Sequence, residues 1–130
     1  LGMADGLLEM IPDAEVWHIG LFRDERTLKP QEYYNKLPRN CGAAAAIVVD
    51  PMLATGGSAV RTCEILRDAG VPRIIYLALI AAPEGIACLE QGMPGVTIHV
   101  AALDDGLNDS GYIVPGLGDA GDRQFGTAGH

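Results

Sequence analysis

Near-continuous apolar runs alternate along this chain with stretches of helical period, and that alternation leaves few architectures open. Residues 15–22 (EVWHIGLF), 43–49 (AAAAIVV), 74–82 (IIYLALIAA) and 97–101 (TIHVA) read as strands. A strand with almost no polar alternation is expected to be covered on both faces, as in a parallel sheet; 43–49 fits that pattern best. Residues 3–10 read as a short helix with Leu7, Leu8 and Ile11 on one side and Pro12 closing it. A second helix is expected over 58–69, with Val60, Cys63, Ile65 and Leu66 inward and Gly70 as its stop. A third opens on Pro83, where a missing N–H costs nothing, and runs to about Gln91. Strands alternating with helices predict an α/β fold, a parallel sheet flanked by helices, whose strand-to-helix loops gather at one ligand-binding edge.

Two stretches lack such a pattern. Residues 23–40 are polar, carry Pro30, Pro38 and a Tyr33-Tyr34 pair, and read as an excursion. Residues 103–130 are rich in Gly and Asp and show no clear period. No internal repeat is present.

Composition bounds the partners. Hydrophobic residues make up 48% and aromatics only 5%, so the core is filled by Ala, Ile, Leu and Val. The 130 residues suffice for one core, and 1–130 reads as one domain. A net charge of -8 argues against nucleic acid or an anionic membrane as the main partner. It leaves room for a small anion, because a helix N-terminus and one or two arginines hold phosphate locally. Cys41, Cys63 and Cys88 are widely spaced and read as buried or half-buried free thiols, not a zinc set, which suits a reducing cytoplasm. No apolar run of transmembrane length occurs. His18 and His99 lie in apolar strands and read as packed core residues.

The most informative loop follows the second strand: Asp50, Pro51, Met52, Leu53, Ala54, Thr55, Gly56, Gly57 and Ser58. An apolar strand is expected to deliver Asp50 to the sheet edge, where a carboxylate accepts hydrogen bonds from sugar hydroxyls. Thr55 to Ser58 then form a turn into a helix, with glycines that let backbone N–H groups approach an anion and hydroxyls that add donors. An acid for sugar and a Gly-Thr-Ser turn for phosphate suit a ribose 5-phosphate. The plainer alternative is a tight turn with Ser58 as N-cap and Asp50 as a solvated acid.

The VVDPMLATGGS run resembles the signature for phosphoribosyl pyrophosphate (PRPP) of type I phosphoribosyltransferases, in its uracil-specific form. Many members carry two adjacent acids here. In this chain the second is Pro51, as in the uracil enzymes, which leaves one carboxylate for the ribose diol. The resemblance therefore implies Mg2+ held mainly by the pyrophosphate oxygens, with no metal site built from protein carboxylates.

A second stretch, GYIVPGLGDAGD over 111–122 followed by RQFGT, resembles the same family's uracil-binding loop. By that resemblance Ile113, Gly118, Asp119 and Ala120 contact uracil, and Asp119 also faces the PRPP ribose, joining Asp50 in the catalytic set. Backbone groups of such a loop can read the O2, N3–H and O4 edge of uracil. Cytosine would leave two of them mispaired, at roughly 1–3 kcal/mol each. Arg23, at the end of the first strand, is implied to hold the diphosphate.

The resemblance spans the chain from LGMADG to FGT. It implies a uracil phosphoribosyltransferase making UMP and diphosphate, a homo-oligomer, and a possible GTP effector. In the family an Arg-Ala-Gly stretch precedes Leu-Gly-Met. The expectation is thus the C-terminal portion of the family's single domain, lacking its N-terminal part and turning over poorly alone. Two rivals stay open: a phosphoribosyltransferase for another base, and a non-catalytic module that senses PRPP or UMP.

Overall fold

The computed structural model describes residues 2–23, 26, 30–35 and 42–116, with 22, 23 and 30–35 described through their backbone. Three strands form the centre: β3 (Ala46–Leu53), β4 (Ile74–Ala81) and β5 (Thr97–Leu103), all parallel, in the order β3-β4-β5. Each is followed across the sheet by a helix or turn, so the crossovers are α2 (Gly57–Asp68) and α3 (Pro83–Gly92). Pro83 stands at the start of α3, as its fixed φ favours.

The core lies between the sheet and these two helices. Leu53, Cys63, Tyr76, Ala81 and Leu89 are its most enclosed members, joined by Ala59, Leu66, Val71, Ile74, Ala78 and Met93. Along β4 the residues facing the helices are buried, from Ile74 through Tyr76 to Ala78, while Leu79 on the opposite side is exposed. Burying each such aliphatic or aromatic side chain stabilises the fold by about 1.5–3 kcal/mol.

Several expectations need correction. β3 does not end at Val49 but continues through Asp50, Pro51 and Met52 to Leu53, with Met52 opposite Ile80 and Leu53 opposite Ala81. The register passes over Pro51, which has no N–H to donate: Asp50 pairs with Ala78, Met52 with Ile80, and the ladder continues beyond the proline. Nor is β3 covered on both faces: its residues from Ala46 to Met52 are only half-buried.

The first strand is not part of the parallel sheet. It is shorter, β1 (Ile19–Arg23), and pairs antiparallel with β2 (Pro30–Asn35), which lies in the stretch read as an excursion. An antiparallel pair can leave one face in water, so the polar residues of PQEYYN are compatible with a strand. The tail likewise holds a small hairpin, β6 (Gly106–Leu107) with β7 (Ile113–Val114). Its turn is tied by Asn108, whose Oδ1 accepts from Ser110 N–H at 2.9 Å and Tyr112 N–H at 3.0 Å. The first helix, α1 (Gly2–Met10), buries none of its residues fully.

His18 and His99 are exposed, not packed in the core. On β5 only Ile98 and Val100 turn towards the helices, which leaves His99 on the outer side. Cys63 is buried and Cys88 half-buried, and both are free thiols; Cys41 lies outside the described residues. Among the described residues, no helix is long and apolar enough to cross a membrane.

Candidate active site

Asp50 sits inside β3, three residues before the strand ends, on the sheet face that carries Val48 and, from β4, Tyr76 and Ala78. Its carboxylate is held from two sides. Oδ1 accepts from the Met52 N–H at 3.2 Å, and Oδ2 accepts from the Tyr76 hydroxyl at 3.0 Å. The tyrosine reaches diagonally across the ladder, because its direct partner is Val48 and the residue opposite Asp50 is the small Ala78. Burial raises the Asp50 carboxyl above its ordinary 3.8, and the Met52 N–H and Tyr76 hydroxyl oppose that rise. Burial also pushes the Tyr76 phenol up, helped by the Asp50 charge. The Cys63 thiol, behind Tyr76, is pushed up to about 11 by burial and by Glu64.

These directions make a test. A carboxyl whose pKa is higher folded than unfolded stabilises the fold most below the unfolded value, and that contribution is lost as pH rises through the folded one. Asn has no such dependence. Thermal melts of Asp50→Asn beside the native chain should therefore show the variant gaining relative stability from pH 4 to pH 7. A gap that moves the other way would mean the carboxyl is stabilised, not penalised, by its surroundings.

The turn beyond β3 is shaped by its contact with α3. Gly56 is the N-cap of α2, at φ +89°, and no side chain caps the helix. Ser58 is therefore not the N-cap but the second residue of the helix, and it is exposed. An added Cβ at Gly56 would lie 2.7 Å from Cys88 Cβ and 2.8 Å from the Gly85 carbonyl. One at Gly85 would lie 2.5 Å from the Ala54 carbonyl oxygen and 2.8 Å from that of Leu53. Two glycines thus let the turn and α3 press together. With no side-chain cap, that turn offers donors and a positive dipole end to an anion.

A cleft of about 940 Å³ connects these parts. Asp50, Ser58, Thr62 and Tyr76 line it, with Val48 and Leu66 as apolar neighbours and Glu15 and Trp17 on the far side. Asp50 and Ser58, predicted as ligand residues, are thus brought to one space. Met52 and Leu53 end the strand and Ala54 begins the turn; Leu53 is fully buried, so its side chain is core and not contact surface.

Ile113 is also buried, at 4% exposure, whereas Tyr112 is 67% exposed. The stretch after Ile113 begins at the same edge of the sheet. Asp104, just past β5, donates its N–H to the Ala81 carbonyl and accepts from the Gly116 N–H at 2.9 Å through Oδ2. Gly116 takes φ +63°, and a Cβ there would collide with the Ile113 carbonyl. Gly118, Asp119 and Ala120 lie outside the described residues. Arg23 ends β1 opposite Pro30, in the antiparallel hairpin.

The sequence reading missed Tyr76, Gly85, Thr62 and Asp104. Only Tyr76 carried a signal: one hydroxyl-tipped residue in an otherwise apolar run, which must find a partner when buried.

A parallel sheet bearing a clamped carboxylate and an uncapped Gly-Gly helix entrance at its carboxyl edge defines an α/β protein of the type I phosphoribosyltransferase fold. The family model described as uracil phosphoribosyltransferase matches residues 1–127. The chain belongs to the uracil phosphoribosyltransferase family. It is 61% identical over 127 residues to the uracil phosphoribosyltransferase of Roseiflexus castenholzii, covering 98% of this chain and 61% of that one. The enzymes of Geobacillus kaustophilus and Enterococcus faecalis are 59% and 55% identical over the same share of each chain. The chain thus spans about three fifths of the length of these curated relatives. Among solved structures, that of the AQ2163 protein from Aquifex aeolicus superposes with a TM-score of 0.78 at 43% identity, over 94% of this chain and 58% of that one.

Proposed function

We propose that this chain transfers the phosphoribosyl group of PRPP to uracil, giving UMP and diphosphate. The C1–oxygen bond to diphosphate breaks as uracil N1 bonds to C1, and the N1 proton is lost. Positive charge builds on the sugar, so positioning and charge stabilisation outweigh acid–base chemistry. The observation that carries this reading is the Asp50 carboxylate, fixed by Tyr76 and the Met52 N–H, in one cleft with Ser58 of the first turn of α2.

In this reading the free lone pairs of Asp50 accept the ribose hydroxyls, and the Thr55–Ser58 turn holds the 5-phosphate on backbone N–H groups. Ile113, Gly118, Asp119 and Ala120 contact uracil in this reading, Ile113 through its backbone because its side chain is buried. Arg23 reaches the diphosphate from the hairpin. Mg2+ enters this reading as a companion of the substrate, held mainly through the diphosphate oxygens. When bound, it would neutralise the leaving diphosphate. A homo-oligomer, a GTP effector and a cytoplasmic setting belong to the same reading; the free thiols suit a reducing compartment.

The test is UMP formation from uracil, PRPP and Mg2+, with cytosine as the competing base. UMP from uracil and no product from cytosine is the expected result. Binding of UMP without any turnover would select the sensing module instead. Gly118→Val should weaken uracil and spare PRPP, since a side chain would block the close backbone approach. An equal loss for both ligands would remove the loop from the base pocket.

A further inference from the structure

We infer that Tyr76 is a positioning residue of the site: its hydroxyl, reaching from β4, fixes the rotation of the Asp50 carboxylate and keeps it ionised for a sugar diol. The inference rests on the reading of Asp50 as the ribose acid. Tyr76 borders the cleft but is only 1% exposed, and its hydroxyl is engaged by Asp50, so its effect on binding passes through Asp50. Its Oη lies 3.0 Å from Asp50 Oδ2, across a gap that Ala78 leaves open. The Met52 N–H alone would leave the carboxylate free to swing about a single bond, whereas two donors on different oxygens define its plane. Two accepting positions then remain, one on each oxygen, for the adjacent hydroxyls of a diol.

The second part of the inference concerns charge. Asp50 is surrounded by few titratable groups. From β4 it meets Tyr76; from α2 the cleft receives Ser58 and Thr62, with Cys63 behind the tyrosine; from the segment before β1 it receives Glu15. Burial raises the Asp50 carboxyl, and among the described residues the groups that oppose this are the Met52 N–H and the Tyr76 hydroxyl. Removing the hydroxyl therefore leaves the acid more easily protonated, and a protonated acid is a weaker acceptor for sugar hydroxyls.

Tyr76→Phe keeps the ring and removes only the hydroxyl. Three measurements on the native chain, Tyr76→Phe, Asp50→Asn and the double variant decide the matter. First, the Asp50 carboxyl carbon, followed by NMR against pH in the free protein, should titrate at higher pH in Tyr76→Phe. Second, UMP affinity should fall roughly tenfold at pH 6, the equivalent of 1.4 kcal/mol, and less at pH 8. The phosphate of UMP titrates alike in both proteins and cancels in the comparison. Third, Tyr76→Phe should cost nothing further in the Asp50→Asn background, where a merely structural role would subtract the same amount again. An unmoved carboxyl titration, or additive losses in the double variant, would overturn the role of Tyr76. Undiminished UMP affinity in Asp50→Asn would instead overturn the ribose reading, even if the carboxyl titration of Tyr76→Phe had moved as expected.

Discussion

Exchanging Asp50 for Asn should lower the affinity for PRPP by roughly 10- to 150-fold while the chain still melts cooperatively. The diol loses a charged acceptor, and a hydrogen bond to a charged group is worth about 1.5–3 kcal/mol. The fold should survive because the amide can serve both existing partners. Its oxygen still accepts from the Met52 N–H, and its nitrogen can donate to the Tyr76 oxygen once that hydroxyl turns. Calorimetric titration with PRPP and Mg2+ measures the loss, and circular dichroism checks the fold. Native affinity in Asp50→Asn would refute the ribose role.

Gly56→Ala should be strongly destabilising, at about 3 kcal/mol or more. Two costs add. An L-residue at φ +89° pays roughly 1–2 kcal/mol for the left-handed conformation. The methyl also meets Cys88 Cβ and the Gly85 carbonyl, and overpacking of that kind costs about 1–3 kcal/mol because a helix backbone must move. Gly95→Ala isolates the first cost: its φ is +96°, but nothing lies within 4 Å of the new methyl. Thermal denaturation should place Gly56→Ala well below Gly95→Ala, by roughly 5 °C or more. If the two variants melt together, the contact between the turn and α3 is not as tight as the structure has it.

Together these variants separate two jobs that one short segment performs. Asp50 faces a ligand but is costly to bury, and the penalty falls on the charged form that binding needs. Gly56 faces the protein, and the α2 entrance is presented only because α3 can sit against it. The Gly-Gly pair is thus explained in part by packing and not wholly by an approaching anion.

Much of this was legible in the residues. The α/β class, the three strands of the central sheet, both crossover helices and the special character of residues 50–58 follow from local chemistry: apolar runs, a proline start, and glycines before a helix. Such signals depend on neighbours in sequence, so no partner need be known. The failures share one cause. Whether β1 joins the parallel sheet or folds back on β2 depends on which strand it meets, and the same apolar residues suit either. The end of β3 was misjudged because Pro51, with no N–H to donate, reads as a stop, whereas the ladder passes over it and resumes at Met52 opposite Ile80. His99 was misplaced because an outer strand buries one side only. Tyr76 and Asp50 stand 26 residues apart, and only the register of β4 on β3 brings hydroxyl to carboxylate. Composition and spacing determined that the chain would make a sheet edge bearing an acid and a phosphate-type turn. Tertiary structure decided what holds that acid, since a hydrogen bond across strands belongs to their alignment and not to either strand alone.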